Sequence, residues 1–291
     1  MPYRSVFHPD LFAGKTLIVT GGGSGIGRCT AHELAALGAR VVLLGRKEDK
    51  LKTVADEIQE DTGHEALSFS CDIRDEENVR QAVAAIYKQV GEVHGLVNNA
   101  GGQFPSPVAL ISQKGWETVI RTNLTGGFLM AREVFMQGMN KTGGSIVNIV
   151  ADMWGGMPGM GHSGAARAGM VNFTQTSAYE WGSCGVRVNA VAPGWIMSSG
   201  MDTYPDGFKE TLKTLRAAVP LQRMGNESEV SGAICFLLSD ASAFISGDTL
   251  RIDGAASQGN VAMFPLPDHN NSKPYDGFHR AVTPNVLKEL D

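Results

Sequence analysis

No apolar run in the 291 residues approaches the ~20 needed to span a bilayer, so no segment reads as membrane-embedded. The basic residues are scattered under a net charge of −5, which leaves no stripe for a nucleic-acid backbone. Cys29, Cys71, Cys184 and Cys235 lie far apart without metal-ligand spacing, so reduced, mostly buried thiols and no metal are expected. The segment Met1–Phe7 lacks an apolar signal region, and Lys288-Glu289-Leu290-Asp291 matches neither a peroxisomal nor an ER-retention signal. A cytoplasmic location is the expectation. The composition is that of a globular protein, 43% hydrophobic and 19% charged, and the 36 glycines predict many tight turns.

Short β-branched apolar runs alternate with helical patterns. Strands are expected at Thr16–Thr20, Arg40–Leu44, Ala66–Ser70, Gly95–Asn98, Ser145–Val150, Arg187–Val191 and Thr249–Ile252. Helices are expected at Ile26–Leu37, Leu51–Glu60, Glu76–Val90, Trp116–Gly138, Ala165–Trp181 and Glu227–Ser239. Several strands are apolar on both faces, as parallel strands between helix layers are. The alternation predicts an α/β fold: one Rossmann-type doubly wound parallel sheet in three α/β/α layers. The domain is expected to run over 1–254. The tail 255–291, rich in Pro, Asn and Asp, either wraps a neighbouring subunit or is partly disordered. Residues 197–225 interrupt the alternation and are expected to form a helical lid over the C-terminal sheet edge, where such folds bind ligands.

The first strand runs straight into Thr20-Gly21-Gly22-Gly23-Ser24-Gly25-Ile26-Gly27. Glycines let the backbone turn sharply and bring N–H groups against a pyrophosphate, and the helix that opens at Ile26 adds its positive end. A dinucleotide site is expected on Gly21, Gly23, Ser24, Gly25, Ile26 and Gly27. The second strand ends Leu43-Leu44-Gly45-Arg46-Lys47, without the acidic residue that accepts from an NAD ribose. Arg46 and Lys47 instead offer cations to a 2′-phosphate, so NADP(H) is expected over NAD(H).

These motifs resemble the short-chain dehydrogenase/reductase family over about Leu11 to Gly254. Thr20–Gly27 is similar to its glycine motif. Cys71-Asp72-Ile73 is similar to the segment whose Asp meets adenine, and Asn98-Asn99-Ala100-Gly101 to the segment supporting the fourth strand. Asn123 stands where the family has a catalytic Asn, and Pro193-Gly194 where its Pro-Gly turn meets the nicotinamide. The resemblance thus implies cofactor contacts at Asp72, Ile73, Asn99, Ala100, Gly101, Pro193, Gly194 and Ile196, and a homotetramer or homodimer built on the helices at 116–138 and 165–181.

The reaction centre departs from the family. Its Ser and Tyr-x-x-x-Lys fall on Val150, Ser163 and Arg167. A tyrosine held near a lysine exchanges a proton with a carbonyl or hydroxyl oxygen near neutral pH, and a serine is too weak an acid to do so unaided. Arg167 stays cationic and can hold ribose hydroxyls. Within the family, Gly101-Gly102-Gln103-Phe104, Lys114-Gly115-Trp116, Asn123–Gly126, His162–Gly169 and Pro267-Asp268-His269 resemble the peroxisomal trans-2-enoyl-CoA reductases. The N-terminal part is also similar to bacterial terpenoid-catabolism dehydrogenases of the citronellol or citronellal type.

Reduction of a C=C bond conjugated to a thioester, which tolerates the lost tyrosine better than carbonyl reduction does, needs hydrogen-bond donors at the enolate oxygen rather than a strong acid. Ser163 is the expected donor, Arg167 the ribose holder, and Asn123 and Asp152 the further catalytic residues. Asp152 is either a proton relay or a turn cap. His162 either tunes Ser163 or simply packs. Tyr204 in the lid is a weaker candidate acid. Met153, Trp154, Met157 and Met160 suit an acyl chain, a core or an interface. An acyl-CoA is the expected substrate. A terpenoid alcohol or aldehyde and a non-catalytic NADP-binding scaffold are the alternatives.

Overall fold

The structure is a computed structural model that describes residues 3–204, 206–259, 265–268 and 271–288. Strands β1 (Thr16–Thr20), β2 (Arg40–Gly45), β3 (Leu67–Ser70), β4 (Gly95–Asn98), β5 (Gly144–Ile149), β6 (Val186–Pro193) and β9 (Thr249–Ile252) form one sheet in the order β3-β2-β1-β4-β5-β6-β9. Every adjacent pair is parallel. The two short strands β7 (Ile196–Met197) and β8 (Gly225–Asn226) pair apart from it. Thus the expected doubly wound sheet is present, and its order reverses between β1 and β4, where such sheets open a ligand crevice.

The helices are α1 (Gly25–Ala36), α2 (Glu48–Thr62), α3 (Glu76–Val90), α4 (Gln113–Ile120), α5 (Gly126–Val134), α6 (Asn140–Thr142), α7 (Gly161–Trp181), α8 (Asp206–Thr214) and α9 (Glu227–Leu238). One core packs α1, α2 and α9 on one face of the sheet through Leu34, Val54, Ile58 and Ile234. The other packs α3, α5 and α7 on the opposite face through Val83, Ile86, Met130 and Ala178. The single long helix expected at 116–138 is relieved by wide turns at Arg121–Thr125 and Phe135–Met139. Such single wide turns often mark functional positions, and the first carries Asn123.

The lid expected at 197–225 is a helical excursion between β7 and β8, made of a turn at Ser199–Thr203, α8 and a turn at Leu215–Ala218. Pro205 within it lies outside the described residues.

The described part of the tail returns over its own chain. Phe278 is buried against Tyr3 and Cys29, and the Arg28 guanidinium lies 5.2 Å from its ring centre. Arg280 forks onto Asp61 at 2.7 and 2.8 Å and also reaches Glu60. Buried Glu33 accepts from Tyr3 and Ser5 at the front of the chain, from Tyr275 in the tail and from Ser231 of α9. Leu287 packs with Met201, Leu212 and Met224 under the lid.

Candidate functional site

The C-terminal ends of β1 and β4 are locked together. Thr20 Oγ1 accepts from the N–H groups of Asn99 and Ala100, and Asn99 Nδ2 donates to the Thr20 and Gly21 carbonyls. Gly21 has φ +66°, and a Cβ there would come within 2.9 Å of the Ala100 backbone, so only glycine fits the seam. Gly25 also turns with φ +56°. Ser24 precedes α1 without capping it through its side chain. The Ser24 side chain therefore does not occupy the first N–H groups of α1, the kind of helix end that can hold an anion. Gly23, Ser24 and Gly25 border a cavity of about 240 Å³ that also meets Arg28, Lys50 and Glu227. Lys50 was not among the expected cations. It lies one turn beyond Lys47, a spacing that was legible once α2 was known to open at Glu48.

Arg46 and Lys47 are exposed at the end of β2. Asp72 is forked by Arg74, whose hydrogen bonds hold its carboxyl below the usual range, with Arg46 adding to the effect. Ile73 is in the core against Gly126.

A larger cavity of about 560 Å³ opens beside this turn. Ile26, Asn99, Gly101, Arg167, Pro193, Gly194 and Ile196, all expected at the cofactor, line it. Asp152, Met157, Met160 and the lid residues Met201 and Tyr204 line it too. Met153 and Trp154 are not on this wall, and Trp154 instead stacks under Arg251 at 3.9 Å.

Asn123 spends its amide on one backbone unit: Oδ1 accepts from Gly102 N at 2.9 Å and Nδ2 donates to Gly102 O at 2.7 Å. This pins the Gly101–Gln103 strip that forms the cavity rim. Arg167 Nη1 donates to the Ile149 carbonyl at 2.6 Å, while its buried Nε has no partner. Burial pushes the guanidinium down to about 10, so it remains a cation at neutral pH. An orphaned donor on a cation facing a cavity suits a polar ligand such as a ribose. Asp152 has its carboxyl raised by burial and by Asp253.

Ser163 is fully buried and does not line the cavity. Its Oγ donates to Gln103 Oε1 at 2.6 Å, and Gln103 Nε2 donates to the Tyr204 hydroxyl at 3.0 Å. His162 is buried behind it, accepts from Ser163 N on Nδ1 and meets Phe104 edge-on. Gln103 had no role in the sequence reading, and its position just after Gly101-Gly102 was the only signal. His269, the end of the Pro267-Asp268-His269 string, lies outside the described residues.

Among the described residues no group of three or more His, Cys, Asp or Glu side chains could hold a metal ion, and no helix is long and apolar enough to cross a membrane. All four cysteines are unpaired.

A family model described as enoyl-(acyl carrier protein) reductase matches residues 21–257. A peroxisomal 2,4-dienoyl-CoA reductase of Danio rerio is 36% identical over 87% of this chain and 85% of its own length. A solved citronellol catabolism dehydrogenase of Pseudomonas aeruginosa is 65% identical, covers 88% of this chain and all of its own, and superposes with a TM-score of 0.80. An actinorhodin polyketide ketoreductase solved with NADPH is 30% identical over 84% of this chain and 98% of its own, also with a TM-score of 0.80.

Proposed function

We propose that this chain, a member of the short-chain dehydrogenase/reductase family and so an oxidoreductase, uses NADP(H) to reduce the C=C bond of a 2-enoyl thioester, with an acyl-CoA as substrate. One observation carries the reading. The family's tyrosine position is Ser163, a buried hydroxyl committed to Gln103, so no strong acid stands at the usual carbonyl site.

Gly21, Gly23, Ser24, Gly25, Ile26 and Gly27 would hold the cofactor's pyrophosphate at the start of α1, with Arg46 and Lys47 on the 2′-phosphate. Asp72 and Ile73 would flank the adenine, and Asn99, Ala100, Gly101 and Arg167 the nicotinamide ribose. Pro193, Gly194 and Ile196 would back the nicotinamide. When bound, the cofactor supplies a hydride. Arg167 adds positive potential where negative charge develops on the thioester oxygen. The Gly101–Gln103 backbone, fixed by Asn123, gives the substrate a rigid rim. Met157, Met160 and Met201 offer an adaptable apolar wall to an acyl chain. The 36% identical dienoyl-CoA reductase supports an acyl-CoA substrate. A cytoplasmic homotetramer or homodimer, with 1–254 as the catalytic domain and 255–291 as its tail, completes the reading.

The second reading is oxidation or reduction of a terpenoid alcohol or aldehyde. The 65% identical citronellol catabolism dehydrogenase favours it. Purified protein should oxidise NADPH with crotonyl-CoA or longer enoyl-CoA. Turnover of citronellal alone, with every enoyl-CoA inert, would replace the first reading with the second.

A further inference from the structure

Glu227 opens α9 and stands beside the glycine turn. It is only 8% exposed, and it lines the same cavity as Gly23, Ser24 and Gly25. Its Oε1 lies 3.8 Å from where a Cβ on Gly25 would be. The carboxyl does not cap its own helix. Asn226 and Glu229 close α9 with a reciprocal capping box, at 3.0 Å in both directions. Among the described residues no hydrogen bond reaches the Glu227 carboxyl.

The charges around it do not neutralise it. α1 contributes Arg28 and Cys29, and α2 contributes Lys50 and Glu57; the lid and the tail contribute the uncharged Ser199 and Val282. Arg28 forks onto Glu57 with two bonds of 2.8 Å. Burial pushes the Glu57 carboxyl up, but the Arg28 hydrogen bonds prevail and hold it below the usual range, so those two charges offset one another. Burial pushes the Cys29 thiol up, which keeps it neutral. Lys50 is exposed, where salt screens it. Burial pushes the Glu227 carboxyl up to about 7, and Arg28 pulls it back only in part. In the empty site this group is poised between acid and carboxylate near neutral pH.

We propose that Glu227 makes cofactor binding proton-linked: its carboxyl takes up one proton when a pyrophosphate is seated at the glycine turn, and stays a neutral acid beside that anion. This rests on the cofactor placement proposed above and not on the C=C chemistry. Two negative groups at one helix opening repel, and a like charge raises a carboxyl further. Solvent supplies the proton, which forms an O–H bond on the carboxyl and is released again when the cofactor leaves. Below about pH 7 the carboxyl is already protonated, and binding is indifferent to pH through this group. Above that value each binding event must take up a proton, so affinity falls as pH rises.

The test is NADPH binding to the full chain without substrate, followed by fluorescence between about pH 7 and about pH 9, with E227Q beside wild type. The wild-type dissociation constant should rise about tenfold or more over that range. Calorimetry at about pH 8, in two buffers of different ionisation enthalpy, should show uptake approaching about one proton per site. E227Q cannot ionise, so its profile should be flat, the uptake should vanish, and at about pH 9 it should bind more tightly than wild type. A damaged fold would weaken binding instead, and the wild-type measurements need no variant. A wild-type constant independent of pH, the same slope or uptake in E227Q, or weaker binding by E227Q at the alkaline end overturns the proposal. If NADH binds and NADPH does not, the NADP(H) reading fails by itself. The NADH profile is then scored in the same way, since both cofactors carry the pyrophosphate. If neither binds at any pH, the cofactor reading and the Glu227 role fall together.

Discussion

Asn285 grips Asp202 of the lid twice, through its backbone N–H at 3.1 Å and its side-chain Nδ2 at 3.2 Å, both on the same carboxylate oxygen. Val286 N–H takes the other oxygen at 3.1 Å. The tail thereby secures the turn that leads into Tyr204. D202A, which removes all three bonds, should raise the KM for the substrate by about 5- to 10-fold, the scale of about 1 kcal/mol, the net contribution of a typical hydrogen bond. The NADPH dissociation constant should change little. Steady-state kinetics and a fluorescence titration separate the two, and an unchanged KM would show that the tail does not act on the lid.

The Arg280–Asp61 pair predicts a pH dependence. Burial raises the Asp61 carboxyl, but hydrogen bonds from Arg280 and His279 outweigh it and hold it down to about 2. A depressed carboxylate stabilises the fold above its unfolded value of about 4 and loses that contribution as pH falls toward 2. R280A should therefore be less stable by about 2 kcal/mol near neutral pH. The gap in Tm between R280A and wild type should close between pH 4 and pH 2. A gap that is constant over this window would assign the loss to packing instead.

Gly101 and Gly102 make a matched pair of substitutions. A Cβ on Gly101 would lie 2.7 Å from Asn123 Oδ1 and 2.8 Å from Arg167 Nη2, whereas one on Gly102 meets nothing within 4 Å. G101A should cost about 1–3 kcal/mol of stability and depress kcat, because Arg167 lines the cavity and Asn123 pins the strip at its rim. G102A should be near neutral in thermal melts and in turnover. Equal effects would remove the crowding argument.

Arg46 is exposed at the end of β2, close enough to Asp72 to affect its carboxyl. R46D should raise the KM for NADPH at least about tenfold, the loss of a charge-assisted phosphate contact, and narrow the preference over NADH. Equal kinetics with both cofactors before and after the substitution would end the NADP(H) assignment.

The sheet was legible because its strands are short apolar runs bounded by turns, and β1, β4 and β9 fall at the expected residues. The glycine turn was legible because positive φ and close backbone approach leave glycine as the residue that fits. The contacts of Gln103 were not. Its amide meets Ser163, sixty residues away, and Tyr204 of the lid, and no local pattern encodes either contact. Ser163 itself was read as facing substrate, because its place in the family pattern reports position and not the direction of its hydroxyl. The tail carries no periodic signal because its docking residues are spread over several elements, Tyr275 and Phe278 on α1, Arg280 on α2 and Leu287 on the lid.

Ser163 has no exposed surface, and its oxygen sits 2.6 Å from Gln103. A tyrosine introduced there has no room unless Gln103 withdraws, and with it goes the donor seated on Tyr204. Restoring the common pair with S163Y and R167K would therefore not rebuild the relatives' chemistry by two steps. It would dismantle the Ser163–Gln103–Tyr204 hydrogen-bond chain before the pair was in place, so the divergence of this reaction centre is hard to retrace one residue at a time.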